Sequence, residues 1–463
     1  MDFQNVDLKQ IENVFFVGIG GIGMSALARW FNLHGKNVCG YDKTQTPLTD
    51  SLEAEGISIH FTDELSNIDQ VFNDKPESCL AIFTPAIPND HSELNFFKDS
   101  RIPLLKRSEV LGLISRSLAT IGVAGTHGKT TTSSMLAHIL HHAGENMTAF
   151  LGGIATNYNS NLILPSANEE QSTVVVEADE YDRSFLRLSP KMEIITSVEA
   201  DHLDIYGSEA YLIDSFQMYI DKLEEGDQLI VHEKVGLRSK VDGVIHQSYG
   251  EATSNDFVIK NIRIEEGQYI FDLQYGKTVI EDITMLIPGY HNVLNATAAT
   301  IAALNQGLSA TQIKEGLASF KGVKRRFEYW LKTDQHIYID DYAHHPTEVE
   351  AFLSSVKNMY PKKELVAIFQ PHLFSRTRDF AEEFSKSLSI ADRLLLLDIY
   401  PARELPIEGV TSEMLLKNIT SKKALVSKEE ALKIVEEEKP KLVVTIGAGD
   451  IDRLCPEIQK ILS

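Results

Sequence analysis

Cysteine is scarce: Cys39, Cys79 and Cys455 stand far apart, with no pairing or metal-ligand spacing. A disulfide scaffold and a cysteine-based zinc site are both excluded on that pattern, and buried reduced thiols are expected. Long apolar runs are also missing, since none approaches the ~18 residues of a membrane span. Basic residues are in deficit, 44 Lys and Arg against 66 Asp and Glu, for a formal net charge of −22. Such a chain is a poor ligand for nucleic acid or an anionic membrane, but local basic clusters can still hold a small anion. The opening residues, MDFQNVDLKQ, carry no signal pattern, so the expectation is a cytoplasmic protein. What remains is an ordinary globular composition, 43% hydrophobic and 24% charged, over 463 residues, enough for two to four domains.

Glycine punctuates the chain at two informative places. The apolar stretch Asn13–Val17 runs into Gly18-Ile19-Gly20-Gly21-Ile22-Gly23, and a helical pattern follows. A second strand pattern ends in Asp42, about twenty residues on. Strand, G-x-G-x-x-G, helix and a later acid form a Rossmann-like phosphate site. Gly18, Gly20, Gly21, Ile22, Gly23 and Asp42 are its candidate residues, with Thr84 at the end of another strand. The loop suits the diphosphate of NAD or of a nucleotide-sugar, and these residues alone leave that choice open.

The other place is Ile121–Thr132, IGVAGTHGKTTT. An apolar strand meets a glycine turn, then Gly128-Lys129-Thr130-Thr131 opens an amphipathic helix. Backbone N–H groups in such a turn cradle phosphate, a lysine reaches the β and γ phosphates, and the next threonine can hold Mg²⁺. Val123 stands where the strict phosphate-loop pattern has its first glycine, so the spacing is a variant. Two acidic clusters follow strand patterns behind this loop: Glu177-Ala178-Asp179-Glu180 and Glu199-Ala200-Asp201-His202. Carboxylates at strand ends beside a phosphate loop are natural Mg²⁺ ligands. His138, His141 and His142 on the loop's helix are expected to be ordinary core or surface histidines.

Residues 226–290 change character: Phe257–Ile264, Tyr269–Tyr275 and Lys277–Leu286 alternate as an antiparallel meander, and His291 and Asn292 then lead a helix carrying Asn295. After the basic run Lys324-Arg325-Arg326, strand–helix alternation resumes. Polar clusters recur just past its strands: Asp340-Asp341-Tyr342-Ala343-His344-His345-Pro346, and Gln370-Pro371-His372-Leu373-Phe374-Ser375-Arg376-Thr377-Arg378. Arg376 and Arg378 suit a carboxylate, which guanidinium pairs with bidentately.

Taken in order, G-I-G-G-I-G-M, G-T-H-G-K-T-T-T, E-A-D-E, E-A-D-H-x-D, G-x-H-N-x-x-N-A, R-R-F, D-D-Y-A-H-H-P and F-Q-P-H-x-F-S-R-T resemble the Mur ligases, over nearly the whole chain. The resemblance implies an α/β fold in three domains. Residues 1–118 would form a Rossmann-like domain for a UDP-sugar, and 119–324 a central P-loop ATPase-type domain with the meander. Residues 325–463 would form a Rossmann-like domain closing on ATP and the amino acid. The pattern is most similar to the members that join L-alanine to the lactyl carboxylate of UDP-N-acetylmuramate, with ATP and two Mg²⁺ ions.

The resemblance also distributes roles. Gly125, Thr126, His127, Gly128, Lys129, Thr130 and Thr131 would bind ATP, with His291, Asn292 and Asn295 on the adenine side and Arg326 and Asp341 contacting ATP from the last domain. Thr130 and Glu177 would hold one Mg²⁺ and His202 a second. Lys129, His202, His344 and Arg376 would act at the reacting groups, and His372, Arg376 and Arg378 would hold the alanine. A monomer or weak homodimer is expected, with no nucleic-acid partner and no membrane insertion. Two readings compete: a ligase of the same family that attaches a murein tripeptide, and a regulatory module binding NAD and ATP.

Overall fold

A computed structural model of the chain describes residues 6–165, 173–199, 203–265, 268–402 and 404–463. Three sheets organise it, each the centre of one α/β domain. The first holds β1 (Asn13–Val17), β2 (Asn37–Tyr41), β3 (Ser58–His60), β4 (Cys79–Phe83) and β5 (Leu104–Lys106) in the order β3-β2-β1-β4-β5. Every pairing in it is parallel. Such a sheet is covered on both faces, which is why β1 and most of β4 are buried, apolar residues. Strand order reverses between β1 and β4, and open sheets of this kind bind ligands in the crevice at that reversal.

The second sheet is mixed and has ten strands. Its members are β6 (Ala119–Ala124), β7 (Met147–Ala155), β8 (Ser160–Ile163), β9 (Thr173–Glu177), β10 (Met192–Ile195), β11 (Gln228–His232), β12 (Ile245–Gly250), β13 (Phe257–Glu265), β14 (Gln268–Tyr275) and β15 (Thr278–Met285). Their order is β15-β14-β13-β12-β11-β10-β6-β9-β7-β8. β6 lies between β9 and β10, parallel to both. The three strands of the expected meander are successive neighbours. The third sheet runs β16 (Glu328–Lys332), β17 (Ile337–Asp341), β21 (Leu442–Ile446), β18 (Leu365–Phe369), β19 (Arg393–Leu396), β20 (Lys422–Leu425), with only β16 antiparallel.

Contacts divide the chain into two compact units: Met1–Lys260 with Leu273–Glu281 and Leu294–Leu317, and Asn261–Asp272 with Asp282–Val293 and Ala318–Ser463. One continuous apolar cluster in the first unit joins residues of both its large sheets, from Val14 and Phe31 to Phe150, Phe216 and Leu229. In the second unit, two clusters hold its sheet, one built on Ile339, Ala367 and Val444 and the other on Tyr338, Ile368 and Val443. These are alternate residues of the same strands, as a sheet buried on both faces requires. Cys79 and Cys455 are buried, Cys39 is partly so, and all three are free thiols. Burial pushes Cys39 and Cys455 up to about 12, so both stay protonated and unreactive. Among the described residues no helix is long and apolar enough to cross a membrane.

Candidate active site

In the first unit, β6 delivers the chain into the turn 125–128 and the helix Lys129–His142. Gly125 has φ +137 and Gly128 φ +83, backbone that L side chains rarely adopt. A Cβ on Gly125 would lie 2.1 Å from Thr196 Oγ1, and one on Gly128 2.5 Å from Asn295 Oδ1. The turn is pinned from the segment after β10. Thr126 N donates to Ser197 O at 3.0 Å and His127 N to Ser197 Oγ at 2.9 Å, while Thr196 Oγ1 donates to Ala124 O at 3.1 Å.

Lys129 begins the helix and folds back over the turn. Its Nζ donates to Gly125 O at 2.6 Å and lies 2.8–2.9 Å from both oxygens of Glu180, which is fully buried. Burial opposes the lysine's charge, but Glu180, Asp179 and Glu177 outweigh it and hold the ammonium above its ordinary range. Burial also pushes Glu180 up to about 7 against the pull of Lys129. The short contact to both carboxylate oxygens is that of an ion pair, so Lys129 is charged at neutral pH. Thr130, Thr131 and Thr132 follow, all buried, with Thr132 Oγ1 donating to Asn295 Oδ1 at 3.2 Å. Glu177 ends β9, and Glu177 Oε2 accepts from Gly152 N at 3.1 Å. A Cβ on Gly152 would come within 2.1 Å of that oxygen, so glycine keeps the carboxylate's place clear.

The other glycine turn belongs to the same unit. Gly18 has φ +91, and a Cβ there would press on Thr84 at 2.9 Å, so the ends of β1 and β4 meet at the strand-order reversal. Asp42 occupies the expected position but is engaged with the chain: Oδ2 accepts from Gly20 N at 2.8 Å and Oδ1 from Thr44 N at 3.1 Å. It braces the glycine turn, leaving its remaining lone pairs for a ligand hydroxyl. Sequence reasoning missed the connection between the two turns. Arg107 packs under Gly23, where a Cβ would meet its Nη1 at 2.6 Å, and its Nη2 lies 3.4 Å from Asp179. Lys106 pairs with Asp182 at 2.9 Å. Two adjacent basic residues opening the helix Arg107–Ser117 were the available signal.

His138 is buried on the phosphate-loop helix, with Nδ1 2.7 Å from Tyr158 Oη, while His141 and His142 are exposed, as expected of non-ligand histidines. His202 lies outside the described residues.

In the second unit, Asp341 ends β17 and is buried. Its carboxylate is taken up by backbone, accepting from Phe327 N at 2.8 Å and Ala343 N at 2.7 Å. Burial pushes it up to about 7, opposed by Arg326 and those two N–H groups. Arg326 lies 3.7 Å from Glu348 and 5.2 Å over the Tyr342 ring. Arg325, not singled out from sequence, is the more deeply tied, to Asp340 at 3.2 Å and Gly447 O at 2.6 Å. Burial, and then Arg326, push His291 down to about 4, so its imidazole is neutral. Asn292 is buried and donates to Pro288 O at 2.6 Å. Asn295, on the same helix, falls in the first unit on Gly128.

His344 and His372 are brought together, their rings edge to face at 6.0 Å, and His372 stacks on Tyr400. His344 Nδ1 lies 3.0 Å from Tyr342 O and 3.2 Å from Glu348. Leu373 follows at φ +71, a backbone state that leucine adopts only under constraint. The constraint is visible: Leu373 N donates to Tyr400 O, and its carbonyl accepts from Thr377 N and Thr377 Oγ1. Arg376 is buried on the short helix that follows. Arg378 differs from the expectation. It is half exposed and pairs with its neighbour Asp379 at 2.7 Å, because alternate positions on one helical turn point to different sides.

Residues 13–118 match the family described as "Mur ligase family, catalytic domain", 123–303 the "Mur ligase middle domain" and 325–449 the "Mur ligase, glutamate ligase domain". A UDP-N-acetylmuramate–L-alanine ligase of Cytophaga hutchinsonii is 50% identical over 455 residues, 98% of this chain and 97% of its own. One of Flavobacterium psychrophilum is 50% identical over 459 residues, 99% of each. The crystal structure of UDP-N-acetylmuramate–alanine ligase from Thermotoga maritima superposes with TM-score 0.80 at 28% identity, covering 97% of this chain and 98% of that one. A murein peptide ligase from Psychrobacter arcticus shares the fold, with TM-score 0.69 at 22% identity over 97% and 98%. With three of its domain families matched in order and half-identical relatives along its whole length, the chain belongs to the Mur ligase family.

Proposed function

We propose that this chain is an ATP-dependent ligase that joins L-alanine to the lactyl carboxylate of UDP-N-acetylmuramate, the activity named for its half-identical relatives. One observation carries the reading: a charged Lys129, held by Gly125 O and Glu180, stands at a glycine turn that Arg107 and Asp179 connect to a second glycine turn. Both turns belong to one unit, and in this reading one serves phosphoryl transfer and the other a nucleotide diphosphate. In this assignment residues 1–118 bind the UDP-sugar, 119–324 bind ATP, and 325–463 bind the amino acid and contact ATP through Arg326 and Asp341.

A carboxylate is a poor electrophile at neutral pH. ATP therefore phosphorylates it: the lactyl oxygen bonds to the γ phosphorus and ADP leaves. The alanine amine attacks the acyl carbon, and phosphate departs with the electron pair of the broken C–O bond. Both steps gather negative charge. Lys129 meets it with a fixed cation, and the N–H groups of the turn and helix add aligned dipoles. When the γ-phosphate arrives, Lys129 must exchange part of its contact with Glu180 for phosphate oxygen. Thr130 hydroxyl and the Glu177 carboxylate are hard oxygen donors that fit Mg²⁺, and Gly152 leaves room for that carboxylate at the end of β9. They would hold the ion, which supplies charge neutralisation on the phosphates. A second ion falls to His202. Gly18, Gly20, Gly21, Ile22 and Gly23 offer backbone N–H groups to the UDP diphosphate, with Asp42 and Thr84 at its edge.

His344 lies near the reacting groups, and His372 with the buried Arg376 orients the alanine carboxylate. Arg376→Ala is expected to raise KM for alanine about tenfold or more, while Arg378→Ala, already paired with Asp379, changes it about twofold at most. The reverse order in steady-state assays would exchange the two roles. The reaction itself is tested by incubating the protein with ATP, Mg²⁺, UDP-N-acetylmuramate and L-alanine and reading the product mass. A new UDP-N-acetylmuramoyl-alanine species supports the reading, and ATP hydrolysis without it rejects the reading.

A further inference from the structure

The N-terminal sheet carries a second cluster of ligating side chains, apart from both glycine turns. His60 ends β3, Asp63 follows in the next loop, and His91 and Glu93 open the helix Ser92–Asp99. Glu93 is fully buried. Glu93 Oε1 lies 2.6 Å from His60 Nε2, and Glu93 Oε2 has no hydrogen-bond partner. His91 is 6% exposed, and its Nε2 also has no partner.

The contact between His91 and Asp63 is the telling one. His91 Nδ1 caps the helix by accepting from Leu94 N at 3.4 Å, so it presents a lone pair. The same atom lies 3.2 Å from Asp63 Oδ1, another lone-pair bearer. Those two atoms repel unless a cation or a proton lies between them. Nδ1 has one lone pair, so a proton or a metal ion alike would take it from the long contact with Leu94 N, but a proton would leave the buried Glu93 oxygen unpartnered. A metal ion between the groups satisfies Nδ1, Asp63 and the unpartnered Glu93 oxygen together. Ligand atoms of Asp63, His91 and Glu93 already lie within 4.8 Å of one another. A tetrahedral site with metal bonds of ~2.0–2.2 Å needs them about 3.5 Å apart, a contraction that side-chain torsions can supply.

We propose that Asp63, His91 and Glu93, with His60 as fourth ligand, form a site for a borderline divalent cation of the Zn²⁺ type. Two imidazoles and two carboxylates favour such an ion over Mg²⁺ or Ca²⁺, which take oxygen donors. Two further features support it. The Ser92 and Glu93 N–H groups donate to Asp63, orienting that ligand from behind. His60 Nε2, 2.6 Å from Glu93 Oε1, turns from that contact to complete the set, and with four protein ligands no coordination position stays open, so the ion's role is structural. It would clamp the end of β3 to the start of the helix. Tyr41, whose ring packs on both imidazoles and which directly precedes Asp42, would be fixed with it.

The test uses the full-length protein, freed of metal by chelation and then titrated with Co²⁺ or Zn²⁺ in millimolar Mg²⁺, which keeps oxygen-only sites filled. One equivalent of Zn²⁺ retained through gel filtration, and the visible bands of tetrahedral Co²⁺, are expected. Glu93→Gln should weaken binding at least about tenfold. His91→Asn should do the same, and it keeps a helix-capping residue so that folding is preserved. His138→Gln, on the other histidine cluster, should bind as the parent does. Substoichiometric metal, or Co²⁺ spectra unchanged in both His91→Asn and Glu93→Gln, would overturn the proposal and leave a proton as what lies between His91 and Asp63.

Discussion

Gly18–Gly23 and Gly125–Gly128 are the same device built twice in one unit, a buried parallel strand turning through positive-φ glycine into a helix. What differs is the side chain that each turn faces. The first is braced by an acid, Asp42 accepting from Gly20 N. The second is covered by a cation, Lys129, with Glu180 behind it. Turn geometry supplies backbone N–H groups for any phosphate. In the proposed function, the charge placed over the turn separates holding a diphosphate from transferring a phosphoryl group.

The largest expected effect follows directly. Lys129→Ala should lower turnover about a thousandfold, the scale for removing a transition-state donor, while the Kd for UDP-N-acetylmuramate by calorimetry stays within about twofold. Equal losses in both would mean that the two turns do not work separately. Next come the glycines. Gly125→Ala meets Thr196 Oγ1 at 2.1 Å with φ at +137, whereas Gly20→Ala has ordinary φ and meets side-chain atoms of Asp42 and Thr49 at 2.8 Å. Denaturant melts should show a loss of about 3 kcal/mol or more for the first and about 1–2 kcal/mol for the second. Equal losses would remove backbone strain from the account.

A smaller effect is expected at Glu180. Glu180→Gln keeps an acceptor near Lys129 but removes its charge, so kcat should fall about tenfold with a modest change in KM for ATP. An unchanged kcat would reduce Glu180 to packing. The smallest effect belongs to His138, pushed down to about 4 by burial and by His142 and His141. Its folded pKa lies below the unfolded value, so its stabilisation is complete above about 6.5 and is lost as pH falls toward 4. Thermal melts of His138→Asn should fall less steeply across that window than those of the parent. Parallel curves would show that His138 does not titrate on unfolding.

Both turns were legible because their information is local: strand, glycines, first helical residue and the acid after the next strand all lie within about thirty residues. The strand Asn13–Val17 was legible for the same reason, its bounds matching the apolar run before the glycines. β7 and β8 were not foreseen, nor was the antiparallel β16, since pairing partners fix short strands more than their own residues do. Arg107 was missed because its meaning depends on Gly23 and Asp179, 84 and 72 residues away in sequence. Asp42 and Asp341 were identified as polar residues past strand ends, but sequence does not reveal that backbone N–H groups engage them. Arg376 was put first and Arg378 beside it as a second carboxylate contact, but sequence does not reveal that one is buried and the other paired with Asp379.

In the proposed reaction the γ-phosphate held at Lys129 activates a sugar-borne carboxylate for alanine. That reaction is tested most directly by phosphate release across an acceptor panel (L-alanine, glycine, L-serine and the murein tripeptide), each with and without UDP-N-acetylmuramate. The highest kcat/KM is expected for L-alanine, with no acceptor-dependent phosphate without the sugar nucleotide. Preferred use of the tripeptide, or alanine-dependent phosphate release without UDP-N-acetylmuramate, would contradict it.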